Sequence, residues 1–101
     1  MGTRLELQEL LKTILGSDNV YFQPPPTIQM NYPCIVYRRD DIRTEYAGNN
    51  PYSHKTRYTV TVIDRNPDST IHREIGKLPL SSFDRFYAAD NLNHDVYSLF
   101  F

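Results

Sequence analysis

The sequence predicts an α+β fold: two helices packed on one mainly antiparallel sheet of four to five strands, in the order α-β-β-α-β-β. Three observations carry this. An apolar stripe of helical period opens the chain, period-two alternation fills its middle and end, and a short return to helical period separates the two strand pairs. The chain has 101 residues, which suits one domain, 1–101, with one core.

The first helix is expected over residues 3 to 15. Thr3 and Glu6 stand at capping-box spacing, Leu7, Leu10, Leu11, Ile14 and Leu15 form one stripe, and Gly16 is a C-terminal stop. Residues 17 to 33 read as irregular. Pro24-Pro25-Pro26 should be extended, a stiff segment carrying the chain across the domain. Cys34 to Arg39 reads as a strand, followed by Asp40-Asp41 and a short alternating piece from Ile42 to Tyr46. "AGNNPYSH", 47 to 54, reads as a loop, because Gly48, Asn49, Asn50 and Pro51 break regular structure. From Lys55 to Ile63 the chain alternates, with Tyr58, Val60 and Val62 on one face and Thr59 and Thr61 on the other. The segments 34–46 and 55–63 should therefore form a long hairpin with a projecting tip.

The second helix is expected to start at Pro67 and Asp68, to present Ile71, Ile75 and Leu78, and to end at Pro79. Two strands follow, near 83–88 and 94–101, around the turn-forming Asp90-Asn91-Leu92-Asn93. The chain ends on Leu99-Phe100-Phe101, which is either the tail of an inner strand or part of a subunit contact. Alternation of Tyr97, Leu99 and Phe101 on one face favours the core.

Composition narrows the function. The formal charge is −1 and the 11 basic residues are dispersed, so no basic stripe for nucleic acid is formed. The apolar runs are too short to span a membrane, and the first residues lack the apolar region of a secretory signal. The single cysteine, Cys34, reads as a small buried strand residue in a reducing compartment. Eight Tyr and five Phe, with no Trp, exceed what so small a core is expected to need, and Tyr favours interfaces.

No catalytic, cofactor or metal site is expected. There is no G-x-S-x-G, P-loop or G-x-G-x-x-G. His94 and Asp95 are adjacent and so point to opposite faces of a strand, while His54 and His72 stand alone. Arg38-Arg39-Asp40-Asp41 is self-neutralising, a solvated turn or, on an assembling protein, an interlocking charge patch.

Taken together, "VYFQPPP", "YPCIVYRRD", "YAGNNPY", "RYTVTVIDRNPDS" and "LPLSSFDRFYAADNLNHDVYSLFF" resemble a family of small minor tail proteins of tailed bacteriophages, the tail terminator or tail-completion proteins. The resemblance runs from about Val20 to the end and lies in the order of the pieces. Gly48 stands where the family is expected to carry an acid. The resemblance implies a virion structural protein without catalytic residues or cofactors. Copies would form a sixfold ring on the head-proximal end of the tail tube, assembled in the host cytoplasm. The ring would stop tube polymerisation and meet the head-to-tail connector or neck protein, while DNA passes through unread. The partners are then the chain itself, the tube protein and the neck protein. Arg38, Arg39, Asp40, Asp41, Arg43, Tyr46, Asn49, Asn50, Pro51 and Tyr52 are the candidate assembly residues. Two other roles stay open: a head-completion or connector adaptor at the same joint, and a monomeric binding module that uses the prolines or the loop tip.

Overall fold

The computed structural model describes residues 3–47, 50–66 and 68–101, with side chains of 41–55 excluded. Its elements are α1 (Arg4–Leu15), β1 (Val20–Phe22), β2 (Cys34–Ala47), β3 (Asn50–Asp64), α2 (Ile71–Gly76), β4 (Ser81–Ala89) and β5 (Leu92–Phe100). The five strands form one mixed sheet in the order β1-β2-β3-β5-β4. The class is α+β with two helices, as the periodicity predicts. The element order is corrected by one strand, because β1 lies in a stretch that reads as irregular.

That strand is only three residues long and pairs in parallel with β2, Val20 opposite Ile35 and Phe22 opposite Tyr37. Three residues carry too little alternation to be legible, and their partner lies 15 positions along the chain. The prolines that follow lead into a turn. The Ile28 N–H donates to the Pro25 carbonyl at 3.1 Å, closing a turn with Pro26 at its second position, where its fixed φ fits.

Helix α1 forms as its ends predict. The Glu6 N–H donates to Thr3 Oγ1 at 3.2 Å and the Thr3 N–H to Glu6 Oε1 at 3.3 Å, a complete capping box. Gly16 closes the helix at φ 80°, where a side chain would be strained. Leu7 and Leu11 are fully buried, and Leu10, Ile14 and Leu15 pack partly against the core. Polar ties fix the helix to the sheet. Gln8 Nε2 donates to the Val20 carbonyl at 3.1 Å, and the Tyr37 hydroxyl donates to Gln8 Oε1. The Arg4 guanidinium lies 4.8 Å from the Phe22 ring centre.

Helix α2 is shorter than expected. It begins at Ile71 rather than at Asp68, and Pro67 lies outside the described residues. Two successive Asx turns explain the delay. The Asn66 N–H donates to Asp64 Oδ1 and the Asp68 N–H to Asn66 Oδ1, both at 3.0 Å, holding this segment in turns. Ile75 is fully buried, with Ile71 and Leu78 packed at the margin of the core.

The hairpin β2–β3 is longer than expected. The stretch 47–54, expected as a loop, is corrected: β2 runs to Ala47 and β3 restarts at Asn50, with Tyr46 opposite Pro51 beside a register shift. A shift of this kind is where a strand tolerates proline. Gly48 and Asn49 lie outside the described residues.

One sheet face holds the core. Ile35, Tyr37, Tyr58, Val60, Val62, Tyr97 and Leu99 are buried there with Leu7, Leu11 and Ile75 from the helices. The alternation read for 55–63 and 97–101 holds, and Phe101 packs partly against this cluster. Among the described residues Tyr37, Tyr58 and Tyr97 are thus core residues, and burial pushes the Tyr37 and Tyr97 hydroxyls above the ordinary phenol value. Cys34 is buried, as read from the sequence.

Candidate assembly interface

β4 is an edge strand, and its outer rim is bare. Of its residues only Ser81 is partly covered; Ser82 through Ala89 are exposed. Phe83 is 57% exposed, Phe86 53%, and Leu80 just before the strand 55%, values that put them among the most exposed large apolar side chains. Natural edge strands are usually short, charged or covered, because an open row of N–H and C=O groups templates pairing. This one has nine residues, and only Asp84 and Arg85 are charged.

The β4–β5 register explains which way these side chains face. Phe83 lies opposite Tyr97 and Phe86 opposite Asp95, two positions apart on β5. Tyr97 belongs to the core face, and Asp95 reaches His72 of α2, with Oδ2 3.8 Å from Nδ1. Both Phe therefore stand on the helix-side face of the sheet. Phe83 touches the core only by an edge contact with Tyr97, ring centres 5.5 Å apart. Phe83 and Phe86 are three apart and would face opposite ways in a regular strand. A register shift between Phe83 and Arg85 reverses the alternation, setting Asp84 and Arg85 together against Val96.

The opposite face of β4 carries Tyr87, stacked on His94 at 4.5 Å and 12°, with the Arg85 guanidinium 5.9 Å from the Tyr87 ring centre. His94 and Asp95 do face opposite ways, as expected of neighbours on a strand. The expectation that His72 stands alone is corrected by its approach to Asp95. Among the described residues no three of His, Cys, Asp and Glu converge, and no helix is long and apolar enough to cross a membrane.

The residues singled out from the sequence lie elsewhere, on the long hairpin. Arg38, Arg39 and Asp40 are exposed on β2. Within the charge cluster, Asp40 reaches across the hairpin. Asp40 Oδ2 lies 3.2 Å from Arg57 Nε and accepts from Thr59 Oγ1 at 3.1 Å, both across the hairpin on β3. Asp41, Arg43 and Tyr46 belong to the backbone of β2, and Asn50, Pro51 and Tyr52 to that of β3; their side chains, and Asn49 altogether, lie outside the described residues. Sequence reasoning missed Leu80, Phe83 and Phe86. The available signal was the run "LSSFDRF", whose two Phe at spacing three fit neither a one-faced strand nor the preceding helix.

No protein-family model matches this chain, and no curated protein matches it.

Proposed function

We propose that the chain is a virion assembly protein of a tailed bacteriophage, a tail terminator or tail-completion protein. Its copies close into a sixfold ring on the head-proximal end of the tail tube. The ring stops tube growth and presents a surface to the head-to-tail connector. The reading involves no catalysis and no cofactor, and DNA passes through the ring without being read.

The observation that carries the reading is the bare β4 edge on a domain whose core is already filled. The Phe83 and Phe86 rings add little to this core, and a solvent-facing strand of this length and apolarity is an aggregation liability for a free monomer. Its presence makes sense where another chain covers it. The sequence resemblance to phage tail-completion proteins supplies the context.

The test uses tail tubes assembled from the tube protein of the same genome. The purified chain should co-sediment with them, and negative-stain microscopy should show a ring at one end. Tubes grown with the chain present should be shorter than tubes grown without it. Failure to bind tubes overturns the terminator role. Binding to the purified neck protein alone would instead assign the chain to the connector.

A further inference from the structure

We propose that β4 pairs antiparallel with β4 of a second copy about a twofold axis, joining two five-stranded mixed sheets into one continuous sheet of ten strands. The centre of β4 reads Phe83-Asp84-Arg85-Phe86. Read against itself in antiparallel sense, this run is self-complementary. Asp84 meets Arg85 of the second copy, Arg85 meets its Asp84, and Phe83 meets its Phe86. The same register sets Ser82 opposite Tyr87 and Ser81 opposite Ala88, so all of β4 but its last residue finds a partner.

Geometry agrees with chemistry at each pair. Residues directly opposite in an antiparallel pair point to the same side of the sheet. A twofold axis perpendicular to the sheet keeps the helix sides of both copies together, so paired positions must share a face within one chain. In a regular strand positions 83 and 86 would not. The register shift between Phe83 and Arg85 makes them do so. Phe83 and Phe86 both lie on the helix side, while Asp84 and Arg85 sit together against Val96 on the other. Ser82, opposite Ser98, and Tyr87, opposite His94, also share that other face. Ser81 and Ala88, opposite Leu99 and Asn93, share the helix side. An edge bulge normally discourages pairing with a foreign strand. Here it is the feature that brings a strand into phase with its own copy.

The pair would gather four Phe rings on the helix side and two crossed Asp–Arg pairs on the other. One strand and its rim make a small interface, so the dimer should be reversible and salt-sensitive. A twofold contact cannot close a sixfold ring. The pair therefore belongs to the free chain, stands whether or not the ring does, and opens when the ring forms.

Charge reversal tests it. Molar mass by sedimentation and light scattering over a concentration series should give a dimer for the native chain. Asp84→Arg and Arg85→Asp, each alone, place like charges across the axis and should weaken association by roughly tenfold or more. Both sites are exposed, so circular dichroism should show both variants folded. An equimolar mixture of the two single variants should dimerise, because each supplies the charges the other lacks, and the double variant should dimerise with itself. A native chain that stays monomeric overturns the pair, as do single variants that associate like the native chain or a mixture that fails to rescue. A monomer that still caps tubes would overturn the pair and leave the terminator reading standing. A rescued dimer that ignores tubes would do the reverse.

Discussion

Cys34 shows how one residue reports its surroundings. It is 0% exposed at the start of β2, and its thiol is pushed up to about 11 from 9.0, first by burial and then by the charge of Asp64. A thiol reacts as its thiolate. A disulfide reagent at pH 8 should therefore leave Cys34 unmodified in the folded chain and modify it fully in denaturant; rapid native labelling would contradict the burial. The same residue makes stability depend on pH. The unfolded thiol ionises near 9 and the folded one only near 11, so its contribution is complete below about 9 and is lost as pH rises through about 11. Tyr37 and Tyr97 are raised too, both mainly by burial, and act in the same direction. The denaturant midpoint should fall steadily between pH 9 and 11, and Cys34→Ala should make that fall shallower.

At the scale of elements, the β4–β5 turn decides how the end of the chain is held. Asp90 and Asn91 have φ of 54° and 63°, the paired left-handed conformations of a two-residue hairpin turn, with Ala89 directly opposite Leu92. Asn91→Gly should leave stability unchanged or raise it by up to about 0.5 kcal/mol, since glycine takes this conformation freely. Asn91→Val should lower it by roughly 1–2 kcal/mol, because a β-branched side chain clashes there. Thermal unfolding of the two variants checks both signs. The turn is narrower than the four residues the sequence suggested: Leu92 and Asn93 already belong to β5, where Asn93 Nδ2 donates to the Asp64 carbonyl at 3.2 Å. That bond ties the last hairpin to the end of β3.

For the whole molecule the unequal edges of the sheet matter most. One is three residues of β1, tied to α1 through Gln8; the other is nine residues of bare β4. Phe86→Ser should leave the thermal midpoint within about 2–3 °C of the native chain, as expected of an exposed substitution, while reducing self-association and tube capping. A loss of folding instead would mean that Phe86 belongs to the core. Leu11, at the centre of the helix–sheet layer, should behave oppositely: Leu11→Ala should cost about 2–5 kcal/mol.

The sequence by itself determined the two-helix α+β class, the capped first helix, the long central hairpin, the buried cysteine and the core face of the two central strands. These rest on interactions within a few residues: a capping box, a stripe of period 3.6, an alternation of period two. It also held the self-complementary run Phe83-Asp84-Arg85-Phe86, unremarked because its meaning depends on a bulge. Only the tertiary structure decided the rest. β1 exists because β2 offers it an edge. Asp40 meets Arg57 because the hairpin brings Arg57 across. His72 meets Asp95 because α2 folds onto β5. The bare rim is β4 because it ends the strand order and nothing covers Ser82 to Ala89. Each depends on which distant segment lies alongside, and local periodicity carries no record of that.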